Sequence, residues 1–316
     1  MDADIILQTF GLGKRYGKRW AVRDLDLTVR RGDVFGFLGP NGAGKSTTIR
    51  MLLTLIKPTA GRAELFGKSL HKNRSAALQR VGGLVERADF YLYLSARRNL
   101  EIVAALRGDD SRHDIDRVLD IVGLTARAED KVKAYSHGMK QRLGIAQALL
   151  GAPELVVLDE PTTGLDPQGI KEVRELIRRL SQSGTVTIFL SSHLLAEIEQ
   201  TATHMAIINQ GTLAVQGRVA DLLAAGPNIV RIDARPRERA LGILRTAPGV
   251  EHVSVAEPYI ECAAHPDATP ALTRLLLDGG TDVHAMIPRR SLEEYFLSIT
   301  EGASDVHVPG RARKEA

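Results

Sequence analysis

The sequence has one cysteine, no long apolar run and almost no excess of charge. Cys262 is the only cysteine among 316 residues, so no disulfide can form within the chain, as is usual in a reducing compartment. No apolar run approaches the roughly 18 residues that a membrane-spanning helix needs. The first residues, MDADIILQTF, carry acids where a signal peptide carries bases. We therefore expect a cytoplasmic chain that does not cross a membrane by itself.

The charge balance also excludes one class of partner. The chain has 42 lysines and arginines against 38 aspartates and glutamates, and this net charge of +4 is too small to indicate nucleic-acid binding. We therefore expect no nucleic-acid partner. The length of 316 residues is sufficient for one large domain and one small domain.

A glycine-rich loop is the most informative segment that the sequence does contain. Residues 39–47 read GPNGAGKST and include the full pattern G-x-x-x-x-G-K-[ST] at Gly39, Gly44, Lys45 and Ser46. The pattern predicts a loop that holds the phosphates of a nucleotide triphosphate. All nine residues of the loop are predicted to contact the nucleotide: Gly39, Pro40, Asn41, Gly42, Ala43, Gly44, Lys45, Ser46 and Thr47.

The segments on either side of this loop have the character that such a site requires. VFGFL (34–38) predicts a buried strand, and the apolar spacing of TTIRMLLTLI (47–56) predicts a helix. Between a strand and a helix, the backbone N–H groups of the loop and the helix N-terminus face the phosphates. We expect Lys45 to reach the β and γ phosphates and the Ser46 hydroxyl to bind Mg²⁺.

Two acids follow a second apolar segment. LVVLDE (155–160) predicts a buried parallel strand that presents Asp159 and Glu160 at its carboxyl end, and PTTGLDP follows directly. We expect Asp159 to hold Mg²⁺ through its water shell. We expect Glu160 to orient or deprotonate the attacking water.

Two further segments contribute polar groups. In YSHGMKQRLGIAQALL (135–150), Ser136 is placed to begin an amphipathic helix whose free N–H groups could meet an anion. The β-branched segment TVTIFLSSH (185–193) predicts a strand that ends in His193. The carboxyl ends of parallel strands are where ligands bind, so this histidine is a candidate site residue.

Together these segments resemble the nucleotide-binding subunit of ABC transporters. GPNGAGKST is similar to the Walker A loop, LVVLDE to the Walker B strand, YSHGM to the family signature and GLD (164–166) to the D-loop. His193 matches the switch histidine, and Tyr16 matches the aromatic residue that stacks on adenine. The order and spacing of the motifs agree over residues 4 to about 218, roughly two thirds of the chain.

The resemblance implies an ATPase that uses ATP and Mg²⁺. It implies that Lys45, Glu160, Asp166 and His193 take part in hydrolysis. It also implies a head-to-tail pair of subunits, in which Ser136 and Gly138 of one subunit meet the ATP on the phosphate loop of the other. The pair would work beneath a separate membrane permease, so the chain is expected at the inner face of the cell membrane.

The sequence departs from the usual family pattern at Glu86 and within residues 135–139. Glu86 stands where the family usually has glutamine, and Tyr135, Ser136, His137, Gly138 and Met139 stand where it usually has LSGGQ. Ser136 and Gly138 are retained, and His137 is either a tolerated substitution or a titrating neighbour of the γ-phosphate. Several drug and bacteriocin exporter ATPases share the glutamate, which favours the antibiotic-exporter branch. We expect Glu86 to contribute to the metal site.

Three other classes of protein have nucleotide-binding loops of this kind, and the sequence fits them less well. A GTPase switch would need a guanine-reading NKxD segment, which the sequence lacks. A ribosome-acting or DNA-repair relative would usually have two cassettes or a long coiled coil, and this chain has one cassette without sustained heptads. A soluble ATPase with a regulatory or mechanical role, or an ATP sensor, is the alternative to a transporter subunit.

The predicted fold is α/β, with a P-loop NTPase core of the ABC ATPase type over residues 4–222. This core includes an antiparallel subdomain of short strands within 4–38 and a helical arm over about 90–150. Residues 227–302 are predicted to form a small α+β domain with the βαββαβ order of a ferredoxin-like unit. This domain is expected to dock or dimerise, or to sense a small molecule. A last helix is predicted over 291–300, and residues 303–316 are expected to be a disordered tail.

Overall fold

The computed structural model describes residues 4–86, 88–107, 111–182, 184, 186–225 and 228–289. The chain divides into two compact units, Met1–Val219 and Ala220–Ala316. The first unit thus ends at the first residue of a helix that continues to Ala225. The domain limits of 222 and 227 remain predictions.

The first unit contains eleven strands and seven complete helices among the residues described. The strands are β1 (Ile5–Tyr16), β2 (Arg19–Leu25), β3 (Thr28–Arg30), β4 (Val34–Leu38), β5 (Ala60–Leu65), β6 (Lys68–Ser69), β7 (Val81–Leu84), β8 (Leu155–Asp159), β9 (Thr187–Ser192), β10 (His204–Asn209) and β11 (Thr212–Arg218). The helices are α1 (Lys45–Leu52), α2 (Arg74–Leu78), α3 (Ala96–Arg107), α4 (Ile115–Ile121), α5 (His137–Leu149), α6 (Pro167–Gln182) and α7 (Leu195–Thr201). Short 3₁₀ helices lie at Ser111–Asp114, Thr125–Arg127 and Val132–Ala134.

A six-stranded sheet forms the centre of the first unit. Its strand order is β11-β10-β4-β9-β8-β7, and every neighbouring pair is parallel except β10 and β11. Every residue of β4, β8 and β9 is buried, which explains why none of the three strands alternates apolar and polar residues. The predicted strand at 34–38 is confirmed, and the strand predicted within 155–160 ends at Asp159. Their carboxyl ends lie at the same edge of the sheet.

The antiparallel part of this unit has several strands within residues 4–38, as predicted, but the first of them is long. β1 is a single strand of twelve residues, which pairs antiparallel with β2, β3 and β5. Register shifts between Leu12 and Lys14 and between Phe10 and Gly13 let this one strand bend between its partners.

The predicted helical region over about 90–150 contains α3, α4 and α5. Leu100 of α3 and Val118 and Leu119 of α4 are buried, whereas Leu106 of α3 is 81% exposed. Asp114, at the start of α4, contacts Arg117 and accepts a 3.0 Å hydrogen bond from the backbone N–H of Gly151. The polar contact fastens α4 to the segment between α5 and β8.

The second unit begins within α8 (Val219–Ala225). It continues with β12 (Ile229–Arg235), α9 (Arg237–Arg245), β13 (Val250–Ala256), β14 (Tyr259–Ala264), a 3₁₀ turn (Pro266–Ala268), α10 (Thr269–Asp278) and β15 (Asp282–Arg289). The described strands form an antiparallel sheet of order β13-β14-β12-β15. Side chains from one face of this sheet pack with α9 and α10 around a small core that includes Ile232, Cys262 and Leu276.

Two sequence predictions fall on parts of the chain that this description leaves out. The helix predicted over 291–300 and the tail 303–316 lie outside the described residues. Among the residues that are described, no helix combines the length and the apolar character needed to span a lipid bilayer.

Candidate functional site

The polar segments singled out in the sequence follow four neighbouring strands of the parallel sheet. The order β4-β9-β8-β7 places the phosphate loop after β4, His193 after β9, the two acids at the end of β8 and Glu86 after β7. In the chain these strands occur in the order β4, β7, β8, β9. The fold therefore brings to one edge segments that lie more than a hundred residues apart.

Two glycines of the phosphate loop lie where another segment leaves no room for a side chain. Gly44 has a φ of 110°, and a Cβ there would lie 2.6 Å from the carbonyl oxygen of Ala21. A Cβ on Gly39 would lie 2.4 Å from the carbonyl oxygen of Ile208. The loop leads into α1, whose N-cap is Gly44 and makes no side-chain hydrogen bond to the first turn. Such a helix start offers N–H groups to an anion, so the cradle fits a phosphate chain.

Lys45 connects the phosphate loop with the acids of β8. It is 5% exposed, and its Nζ donates a 2.7 Å hydrogen bond to the carbonyl oxygen of Gly39. The same Nζ lies 3.2 Å from Glu160 Oε1. A buried ammonium is stable only with partners of this kind. The structure thus brings together two of the predicted catalytic residues.

Glu160 is the centre of a small polar cluster. His193 Nδ1 lies 3.2 Å from Glu160 Oε2, and the Thr163 hydroxyl donates a 2.9 Å hydrogen bond to the same oxygen. Burial raises the pKa of Glu160, but the hydrogen bond from Thr163, the charge and hydrogen bond of Lys45 and the charge of His193 together lower that pKa below its ordinary value. Glu160 is therefore ionised at neutral pH, as a group that orients or accepts a proton from water must be.

Asp159 is held by a residue that the sequence analysis did not single out. Asp159 is 4% exposed, and its Oδ1 accepts a 2.6 Å hydrogen bond from the hydroxyl of Ser191 on β9. Ser46, the other predicted metal ligand of this region, is the second residue of α1. Among the described residues, no three His, Cys, Asp or Glu side chains lie together in a way that could hold a metal ion. One carboxylate and one hydroxyl are a donor set that fits Mg²⁺, which keeps several waters and phosphate oxygens as ligands.

Glu86 lies two residues beyond β7 and makes a different contact from the one predicted. Its side chain is 62% exposed and pairs with Arg50 of α1. The structure thus joins Glu86 to the helix that follows the phosphate loop. Its predicted part in the metal site stays a prediction.

The signature segment lies beside the D-loop of the same chain. Ser136 is the N-cap of α5, as predicted, because its Oγ accepts a 3.2 Å hydrogen bond from the N–H of Met139. A Cβ on Gly138 would lie 3.8 Å from the Cα of Gly169, whose N–H donates a 2.9 Å hydrogen bond to Asp166 Oδ1. The signature and Asp166 are therefore connected through the first turn of α6.

Tyr16 is placed at the end of β1, in the hairpin that leads to β2. Its side chain is 52% exposed, and Lys14 Nζ lies 5.3 Å from the centre of its ring. An exposed ring is free to stack on a base. Its predicted contact with adenine stays a prediction.

Sequence reasoning missed the residues that hold the predicted ones in place. These are Thr163 and Ser191, which bond the acids of β8, and Arg50, which pairs with Glu86. Thr163 lies three residues after Glu160, and Ser191 lies two residues before His193. Their closeness to predicted site residues is the sequence signal that could have identified them. The sequence does not show that the Ser191 hydroxyl faces Asp159, because this contact depends on the pairing of β8 with β9.

The chain is similar to known ATP-binding subunits of ABC transporters. The sequence profile of the family described as "ABC transporter" matches residues 22–163. The bacitracin transport ATP-binding protein BcrA of Bacillus licheniformis is 42% identical over 301 residues, which cover 95% of this chain and 98% of that protein. The daunorubicin/doxorubicin resistance ATP-binding protein DrrA of Streptomyces peucetius is 34% identical, with 98% of this chain and 96% of that protein covered.

The fold agrees with this assignment. The structure of cbiO1 from Clostridium perfringens, a part of the ABC transporter complex cbiONQ, superimposes with a TM-score of 0.63 at 27% identity, covering 70% of this chain and 91% of that one. The predicted α/β core of the ABC ATPase type is confirmed, and the loop at residues 39–47 belongs to a domain that binds ATP. With relatives this similar along nearly its whole length, the chain belongs to the ABC transporter family and is one of its ATP-binding subunits, an ATPase of the branch that includes the bacitracin and daunorubicin proteins.

Proposed function

We propose that this ATPase powers the export of an antibiotic or a similar amphipathic drug through a separate membrane permease. The observation that carries the proposal is the 42% identity with the bacitracin ATPase, which extends over 95% of this chain and therefore includes the second unit. The comparisons support transport and give no support to the alternative of a soluble regulatory ATPase.

The contacts of Lys45, Glu160 and His193 support a division of roles in hydrolysis. Lys45 binds the β and γ phosphates in this proposal, which is supported by its position as the first residue of α1, directly after the glycine-rich loop. Glu160 orients the attacking water and accepts its proton, since its carboxylate is held ionised beside Lys45. His193, 3.2 Å from Glu160, positions that carboxylate and contacts the γ-phosphate.

Mg²⁺ would be held by Ser46 and by Asp159 through its water shell. When bound, the ion neutralises charge on the phosphate oxygens. Glu86 would join this site from the neighbouring loop after its contact with Arg50 is released. Tyr16 would stack on the adenine ring, and the backbone of the loop would hold the phosphates.

Ser136 and Gly138 support a paired arrangement. They lie at the N-terminus of a thirteen-residue helix, and Ser136 is exposed. The family resemblance implies a pair of subunits that works with a permease, and the ATP-binding cassette MJ0796 bound to ADP and Pi, a structure of similar fold, is dimeric. We propose that ATP is held between the phosphate loop of one subunit and these two residues of the partner, with Asp166 at the contact between them. Closure of the pair then moves the permease, since ATP binds the closed state more tightly than the open one.

For the second unit we propose a ferredoxin-like fold, residues 227–302. The βαββαβ order and the sheet order β13-β14-β12-β15 support it. Its role is to dock on a partner, and a small-molecule sensor is the second candidate. We place the whole chain in the cytoplasm, at the inner face of the membrane, where the permease holds it.

The test is a resistance assay in a bacitracin-sensitive strain that expresses this chain together with a candidate membrane permease. We expect the inhibitory concentration of bacitracin to rise, because export lowers the amount of drug that reaches its target. Lys45→Ala and Glu160→Gln, expressed at the same level, should abolish the rise. A rise that survives both substitutions, or ATPase activity without resistance to any amphipathic antibiotic, would contradict export.

A further inference from the structure

A buried hydroxyl lies between the two acids of β8 and has no part in the mechanism above. Ser191 of β9 is fully buried, with 0% of its surface exposed. Its Oγ donates a 2.6 Å hydrogen bond to Asp159 Oδ1 and accepts a 2.9 Å hydrogen bond from the backbone N–H of Glu160. One side chain therefore holds the carboxylate of the first acid and the backbone of the second.

The strand pairing fixes this hydroxyl in place. Asp159 and Ser191 are directly paired in the parallel ladder between β8 and β9. All six residues of β9 are buried, so the strand has no freedom to move the hydroxyl away. An O–H···O⁻ distance of 2.6 Å is that of a charge-assisted hydrogen bond, which is stronger than a neutral one. The bond therefore limits the orientations that the Asp159 carboxylate can adopt.

The backbone of Glu160 needs the support that Ser191 gives. Its φ is +48°, a left-handed conformation that residues with a side chain rarely adopt. Such a conformation persists only where the surroundings hold it. The acceptor for the N–H of this residue is the Ser191 hydroxyl. This turn directs the Glu160 side chain toward Lys45 and His193.

We propose that Ser191 is a positioning residue for ATP hydrolysis. It orients Asp159 for Mg²⁺ and fixes the turn that presents Glu160 to the attacking water. Ser191 acts through these two acids and is assigned no contact with ATP. The inference rests on the proposed role of Asp159 in holding Mg²⁺.

The experiment compares how strongly Mg²⁺ increases nucleotide affinity in wild type and in Ser191→Ala. Binding of a fluorescent ATP analogue is measured in EDTA and in Mg²⁺, together with kcat, KM and thermal unfolding without nucleotide. Affinity in EDTA should stay within about twofold, because the phosphate loop is unchanged. The increase in affinity on adding Mg²⁺ should fall about 10-fold and kcat about 10- to 100-fold, the range for groups that orient metal ligands. Ser191→Thr, which keeps the hydroxyl, should restore most of both.

A matched control exists in the same strand. Thr187 is 1% exposed and lies at the other end of β9, where its Oγ1 accepts a 3.0 Å hydrogen bond from the N–H of Gly32. Thr187→Ala also removes a buried hydroxyl, so it should lower thermal stability but leave the Mg²⁺ effect at the wild-type value. Equal loss of the Mg²⁺ effect in both variants would reduce Ser191 to a structural residue and overturn the inference.

A third variant separates this inference from the proposed function. Asp159→Asn should lose the Mg²⁺ effect on nucleotide affinity. If it does and Ser191→Ala behaves as wild type, the inference about Ser191 fails and the metal role of Asp159 stands. If Asp159→Asn keeps the full effect, the proposed metal role fails first. Should Ser191→Ala not fold, Ser191→Cys carries the same comparison, because a thiol is a much weaker donor.

Discussion

Lys45 Nζ lies 3.2 Å from Glu160 Oε1, so the phosphate loop and the last acid of the β8 segment form an ion pair. The pair joins two sequence motifs that are separated by more than a hundred residues. Burial raises the pKa of Glu160, but the hydrogen bond from Thr163 and the charge of Lys45 lower that pKa below its ordinary value. The consequences for hydrolysis can be tested directly.

Glu160→Gln should keep ATP binding and lose hydrolysis by at least ~100-fold, the usual contribution of a general base. The amide can still accept the hydrogen bond from Thr163 but cannot accept a proton from water. The closed pair of subunits should then accumulate, which size-exclusion chromatography with ATP and Mg²⁺ would detect. Glu154→Gln is the control, since Glu154 lies beside the other end of β8, where it pairs with Arg31 and Arg80. Full turnover by Glu160→Gln would remove this residue from the mechanism.

Glu86→Gln should raise the Mg²⁺ concentration needed for half-maximal ATPase activity, because a carboxylate attracts the ion more strongly than an amide does. Its affinity for metal-free nucleotide should be equal or better, because the substitution also removes a negative charge. A Mg²⁺ titration of the variant assembled with its permease provides the measurement. Superimposable curves with unchanged transport would mean that Glu86 has no part in the site.

Arg50→Gln tests the contact that the structure adds to this prediction. Arg50 and Mg²⁺ compete for one carboxylate, so removing Arg50 should lower the Mg²⁺ requirement. The pair is solvent-exposed and contributes at most about 1 kcal/mol, which limits the change to about fivefold. In the background of Glu86→Gln, Arg50→Gln should have no effect on the titration. An equal effect in both backgrounds would show that Arg50 acts without Glu86.

Asp114→Asn should destabilise the first unit at neutral pH by about 1–3 kcal/mol, the cost of breaking a buried charged hydrogen-bond network. Burial raises the pKa of Asp114, but Arg117 and the backbone N–H groups of Gly151 and Ala152 lower it overall. The stabilisation is therefore complete above the ordinary pKa of about 3.8 and is lost as pH falls through the lowered value.

Urea unfolding at pH 7 and near pH 3 checks this sign. The difference in unfolding free energy between wild type and Asp114→Asn should shrink at the lower pH. Asp116→Asn is the control, because Asp116 is 76% exposed where it pairs with Arg97, and its loss should change stability little. A difference that is as large near pH 3 as at pH 7 would contradict the proposed ionisation.

The Cys262 thiol should react slowly with a disulfide reagent in the folded protein. The residue is 1% exposed, and burial raises the pKa of its thiol to about 11. One thiol per chain should react at once in guanidinium chloride. Leu276→Ala, which removes a fully buried neighbour in the same core at a cost of about 2–5 kcal/mol, should speed the reaction in buffer. Rapid labelling of the wild type would contradict the buried position.

A chain that ends at Ala225 should still bind ATP, because every nucleotide motif lies in the first unit. Its affinity for a fluorescent ATP analogue should be within about threefold of the full chain, a difference of under 1 kcal/mol. Circular dichroism provides the check of folding. A folded truncated chain without nucleotide affinity would show that the two units act as one in binding.

Much of the site could be predicted from short segments, because their chemistry is local. The glycine-rich pattern and the start of α1 at Lys45 lie within one short segment of the chain. Ser136 was correctly predicted to cap α5 for the same reason. The bends of the long strand β1 could not be predicted from the sequence, because they depend on its pairing with three other strands.

Short segments of the chain were sufficient to predict the phosphate loop, the acids Asp159 and Glu160, the family and the order of the elements. The fold was needed to show that Lys45 meets Glu160, that Ser191 bridges Asp159 and the backbone of Glu160, and that Glu86 pairs with Arg50. The physical reason is that each of these contacts depends on which strands lie side by side. Strand order in a parallel sheet is set by burial of whole faces, which no local segment encodes.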